Sequence, residues 1–94
     1  MKLENWALAL VYNNTFRLQG TVYGNPKFPD GRGVMTSEVE SITQNNEVVT
    51  RSGSVYELGD PDPLYEQLYP NAKERLFDAL RKRTIEETQH HNGE

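Results

Sequence analysis

Lys27, Phe28 and Arg32 fall inside one ten-residue stretch, Gly24-Asn-Pro-Lys-Phe-Pro-Asp-Gly-Arg-Gly33. Pro26 and Pro29 remove backbone donors there, and three glycines admit backbone angles that other residues avoid. A loop of that kind can offer an aromatic face to a base, cations to phosphate and free amides to the rest of a nucleotide. It matches neither the phosphate loop nor the dinucleotide fingerprint, which lead into a helix, because it runs into an expected strand. The competing use of the same residues is a surface loop anchored in the core by Phe28.

A second group of polar side chains, Thr36-Ser37 and Ser52-Gly53-Ser54, concentrates hydroxyls near the middle of two segments expected to pair, with Arg51 alongside and Tyr56 two residues beyond Ser54. Short hydroxyls and a glycine let a ligand approach a strand closely, and they are equally at home on a solvated sheet face or in a bulge. The predicted ligand-binding set is therefore Lys27, Phe28, Arg32, Thr36, Ser37, Arg51, Ser52, Ser54 and Tyr56.

Catalytic groups are sparse. The two histidines, His90 and His91, lie in a polar tail, where adjacent residues present no fixed geometry to a metal or a nucleophile. Asp60 and Asp62 could begin a divalent-cation site if a third oxygen converged, and Asp62 serves equally well as a helix cap. No cysteine is present, so disulfides, zinc-thiolate sites and thiol nucleophiles are excluded. The sequence predicts a binding protein, not an enzyme, with no cofactor and no metal.

Positioning these residues falls to the surrounding pattern. From Asn5 to Tyr12, Trp6, Leu8, Leu10 and Tyr12 alternate with small residues and predict a strand with those four on one face. Asn13-Asn14 tolerates left-handed backbone, and Phe16 to Tyr23 alternates again, which predicts a hairpin. A second pair is expected from Val34–Thr43, a Gln44-Asn45-Asn46 turn and Glu47–Leu58, the last run either bulged or split at Ser52-Gly53-Ser54. Asp62-Pro63 reads as a helix start, with Leu64, Tyr65, Leu68 and Tyr69 on its apolar side and Pro70 as its stop. Asn71 with Glu74 forms a capping-box pattern for a longer helix with the stripe Leu76, Phe77, Leu80, Ile85. The expected fold is α+β, an antiparallel sheet of four to five strands followed by one short and one longer C-terminal helix. One compact domain is expected over 1–86, with a polar, disordered tail at 87–94.

Ninety-four residues, 35% of them hydrophobic, leave material for one small core, and oligomerisation would help it. Ten basic residues against 14 acidic ones give a net charge of −4, which argues against non-specific DNA or RNA binding. The segment from Glu38 to Glu66 carries seven acids against Arg51 alone, whereas Arg17–Met35 has three cations against Asp30. An anion would be drawn to the second of these. No apolar run reaches the ~18 residues of a membrane span and no leader pattern opens the chain, so a cytoplasmic location is expected.

The strings Gly24-Asn-Pro-Lys-Phe-Pro-Asp-Gly31, Thr36-Ser37-Glu38-Val39 and Val49-Thr-Arg-Ser-Gly-Ser-Val-Tyr-Glu-Leu-Gly59 give residues 16 to 60 a resemblance to small proteins of bacteriophages and prophages. In size and layout the chain is similar to phage anti-defence proteins of the anti-CBASS and anti-Thoeris kind. That resemblance implies sequestration of a cyclic nucleotide or cyclic ADP-ribose-type signal without cleavage, in a homo-oligomer. It carries over no site residue. The alternative from the residues themselves is a protein-interaction module that binds a host protein through its acidic face or a sheet edge.

Overall fold

The structure, a computed structural model, describes residues 1–92, with side chains as far as Arg83. Six strands form one sheet: β1 (Lys2–Tyr12), β2 (Thr15–Tyr23), β3 (Arg32–Met35), β4 (Val39–Ile42), β5 (Glu47–Thr50) and β6 (Val55–Leu58), followed by α1 (Pro63–Leu68) and α2 (Ala72–Asn92). The α+β class holds, but the sheet is mixed and has six strands, in the order β3-β2-β1-β6-β5-β4.

The extra strand and the parallel pair have one origin. The segment expected as a single strand from Val34 to Thr43 is bent at Thr36-Ser37-Glu38 into β3, which pairs with β2, and β4, which pairs with β5. Both halves run in the direction of β1, so the chain forms a meander of five strand paths with the third shared between two halves. An odd number of alternating strands brings first and last together in parallel, and β1 meets β6 that way at Lys2↔Glu57 and Leu3↔Leu58. Because only three residues join the edge strands β3 and β4, and four Cα steps span at most ~15 Å, the sheet must curl strongly. The run from Glu47 to Leu58 takes the split option: β5 and β6 are antiparallel, with Gly53 at φ 89° in the turn between them.

The hairpin forms where expected. Asn13 and Asn14 have φ 49° and 62°, the paired positive angles of a type I′ turn. Its facing pattern differs. The register between β1 and β2 slips by one residue twice, at Asn5-Trp6 opposite Gly20 and at Leu10-Val11 opposite Phe16. Each slip is a β-bulge whose first residue is left-handed, Asn5 at φ 55° and Leu10 at φ 48°. Bulges reset the alternation, so Leu3 and Trp6 are both fully buried three residues apart, whereas Leu10 and Tyr12 are 64% and 73% exposed instead of inward-facing.

Leucine in the left-handed region is strained by about 1–2 kcal/mol, and asparagine tolerates it better. Leu10→Asn is therefore expected to raise stability by about 1 kcal/mol and Leu10→Val to lower it, measured as urea midpoints at one fixed protein concentration.

Asp62 caps α1 as expected, its carboxylate accepting from the backbone N–H of Leu64 and Tyr65 at 2.9 and 3.1 Å. The Asn71–Glu74 capping box does not form among the described residues. Asn71 is left-handed at φ 62°, and the Glu66 carboxylate, reaching from α1, accepts from the N–H groups of Asn71 and Ala72 instead. On α2 the buried stripe is Ala72, Leu76 and Leu80, one residue every four, with Phe77 half-buried beside it. These pack with Leu3, Trp6, Leu18, Val22, Val39, Val48, Tyr56 and Leu58 in one core. Ile85 and the expected tail 87–94 lie outside the residues whose side chains are described. The expected burial of the α1 apolar side is corrected: Leu64 and Leu68 are both 64% exposed, because the helix follows a sheet edge that has already ended. No helix among the described residues is long and apolar enough to cross a membrane.

Candidate functional site

The predicted ligand residues fall into two groups, and Asn25 links the loop of the first to Tyr56 of the second. In the 24–33 loop, Asn25 is the organising residue. It is buried, its carbonyl accepts from Phe28 N–H, its side-chain oxygen accepts from Lys27 N–H, and its amide meets the Tyr56 hydroxyl at 3.4 Å. The Asp30 carboxylate accepts from Gly24 N–H and closes the loop. Phe28 packs against the core, and the Arg32 guanidinium sits 5.6 Å from its ring centroid. Phe28 is thus half-buried as an anchor of the loop, with Arg32 over its ring. Lys27 and Arg32 are exposed and make no ion pair among the described residues.

The second group does assemble. Ser37 Oγ lies 3.1 Å from Ser52 Oγ and accepts from Ser52 N–H, and Ser52 Oγ is within 3.1 Å of Thr50 Oγ1 and 3.4 Å of Ser54 Oγ. Glu38 bridges Arg17, at 2.7 Å, and Arg51, at 3.3 Å. The hydrogen bond from Arg17 holds the Glu38 carboxyl below its ordinary range; desolvation opposes it, and a backbone hydrogen bond and then the charges of both arginines add to the lowering. These contacts tie the β3–β4 bend to the β5–β6 turn. Thr36 is buried, accepts from Leu18 N–H at 3.0 Å and donates to the Ser37 carbonyl at 2.7 Å, so its hydroxyl has a structural task at the bend. Tyr56 is 4% exposed and cannot stack on a ligand. Arg51 remains open, and because Glu38 is shared with Arg17 the three side chains keep a net charge of +1.

The Asp60 backbone carbonyl accepts from Asn5 N–H, Asp62 caps α1, and no group of three His, Cys, Asp or Glu converges among the described residues.

A further concavity lies elsewhere. β6 ends at Leu58, and beyond a single bridge between Trp6 and Pro61 the second half of β1 has no strand on that side among the described residues. The chain turns instead into α1 and α2, which stand off from this edge. Between them lies a groove of about 630 Å³, with Leu8, Val11 and Phe16 on the hairpin wall and Tyr65, Tyr69 and Leu76 on the helical wall. Arg75 is its only charged lining residue among the described residues. Trp6, Tyr65 and Tyr69 form a ladder with centroid separations of 6.1 and 5.1 Å, and burial followed by the neighbouring Tyr69 raises the Tyr65 hydroxyl above its usual pKa. Tyr65 also lines the adjoining depression that holds Leu64 and Leu68. Sequence reasoning placed most of these residues in the core. The signal it lacked was long-range: how many residues of β6 pair with β1.

Compared with known proteins, the chain matches no family model, no curated protein and no solved structure.

Proposed function

We propose that this protein is a non-enzymatic interaction domain that docks a protein along the free edge of β1 and the groove beside it. The observation that carries this reading is the composition and exposure of that edge. Leu10, Val11 and Tyr12 are 64%, 69% and 73% exposed, beside a largely apolar groove with Arg75 in its lining. Single exposed apolar residues are ordinary, but contiguous ones around a groove mark a binding surface. An unpaired strand edge adds backbone donors and acceptors that a partner strand can satisfy.

The test is retention by tagged protein of an untagged copy and of host-lysate proteins, compared between the wild type and a Val11→Lys/Tyr69→Lys variant. A protein retained by the wild type and lost from the variant supports the reading. Equal retention by both, or none by either, overturns it.

A second reading, sequestration of a cyclic nucleotide or cyclic ADP-ribose-type signal, is favoured by one observation: Lys27 and Arg32 stand exposed on one loop with no carboxylate paired to them among the described residues. It predicts that a panel of cyclic di- and trinucleotides and cyclic ADP-ribose isomers contains a ligand that raises the melting temperature and is recovered intact, with the shift abolished by Arg32→Ala. No shift across the panel removes it.

A further inference from the structure

We infer that the occupant of this edge is a second copy of the same chain, paired β1 to β1 in antiparallel fashion about a two-fold axis, with the two grooves closing around the joined hairpins. The inference rests on the docking reading above and names its partner.

Four observations lead to it. First, the edge is self-complementary in charge. From Asn5 to Phe16 the sequence contains no charged residue and no proline, so two copies can align without burying an ion or losing a donor. Second, the molecule's other free edges carry the features that block pairing and this one does not. β3 and β4 are four residues each, with exposed Arg32 and Glu40 on them, whereas β1 continues for six residues beyond Trp6.

Third, the backbone polarity is set. The carbonyl of Leu3 accepts from Gly59 N–H and that of Trp6 from Asp62 N–H, so both point off β1 away from β2. Strand alternation then turns the N–H and C=O of Leu8 outward on the same side, with no strand to receive them among the described residues. In an isologous pair the same groups meet their own copies, so each strand supplies what the other lacks.

Fourth, the area is sufficient. Leu10, Val11, Tyr12, Leu64, Leu68 and Tyr69 are between 51% and 73% exposed. At about 200 Å² for a large apolar side chain these leave roughly 750 Å² in water, close to the ~800 Å² that each partner contributes to a standard interface. The bulge at Leu10-Val11 sets the far limit of the regular pairing, so the joined stretch is short and the grooves supply the remaining burial.

Sedimentation velocity across the micromolar range, on the wild type, Val11→Lys and Met35→Lys, tests this together with amide exchange at Leu8. The expected result is a wild-type dimer, at least a tenfold weaker dimer for Val11→Lys, an unchanged one for Met35→Lys on the β3 edge, and protection of the Leu8 amide that grows with concentration. Tyr12→Lys replaces Val11→Lys if the latter loses native Trp6 fluorescence. A monomer at every concentration overturns the inference, as does a dimer that Met35→Lys breaks and Val11→Lys does not, or one with the Leu8 amide unprotected. The two failures are separable: a wild-type monomer that still retains a lysate protein through Val11 and Tyr69 refutes the second copy and leaves the docking reading standing. A chain that retains nothing refutes both.

Discussion

Trp6→Ala is expected to cost about 4 kcal/mol, a large part of the 5–15 kcal/mol that holds a domain of this size together. The indole is fully buried, its Nε1–H donates to the Gly59 carbonyl at 2.9 Å, and its ring lies 6.1 Å from that of Tyr65. It therefore joins three elements: the bulge in β1, the chain leaving β6 and the first helix. Alanine would open a cavity in the core and leave the half-buried Gly59 carbonyl without its donor. Trp6→Phe keeps most of the volume and loses the hydrogen bond, so its cost should be nearer ~1.5 kcal/mol. Trp6 is the only tryptophan, so unfolding has to be followed by far-ultraviolet circular dichroism in urea. Equal costs for the two variants would mean that the hydrogen bond to Gly59 outweighs the packing.

Much of the fold is legible in residues that act locally. Asn13-Asn14 specifies its turn because asparagine tolerates the left-handed angles it needs, and Asp62-Pro63 specifies a helix start because the carboxylate and the ring each suit their position. What was hidden depends on partners distant in sequence. The bend at Thr36 has no turn chemistry in the sequence; it follows from Leu18, 18 residues earlier, offering the N–H that Thr36 accepts and the carbonyl that receives Thr36 N–H. The parallel closure of β1 on β6 follows from that bend. The capping of α2 by Glu66 was missed for the same reason, since a residue on the preceding helix competes with the local pattern at Asn71.

The candidate site divides along the same line. Ser37, Arg51, Ser52 and Ser54 come together because the bend carries the first to the turn that holds the other three. Tyr56 was legible as a strand residue but not as an inward one, because its face depends on where β6 meets β1. The groove is invisible to any periodicity, since it exists where a strand stops.

Gly20 supplies the sharpest test of the bulge that orients Trp6. It lies opposite Asn5 and Trp6 in the register, and a Cβ placed there would fall 2.8 Å from the Glu4 carbonyl oxygen and 3.0 Å from Leu3 Cγ. Its φ is not left-handed, so the requirement for glycine is one of space alone. Backbone and a fully buried leucine both press on the position, and neither can swing aside as an exposed side chain would. Gly20→Ala is therefore expected to cost about 3 kcal/mol, the upper part of the overpacking range. Gly33, on the neighbouring strand opposite Thr21, has no left-handed φ, and a methyl group added to it would meet nothing within 4 Å. Gly33→Ala should instead be neutral or stabilising by about 0.5 kcal/mol, through the entropy removed from the unfolded chain. The contrast between two strand glycines, read as urea midpoints, separates close approach from strand propensity: similar effects at both sites would mean that β1 can shed its bulge at Asn5. The inward setting of Trp6 would then not depend on Gly20.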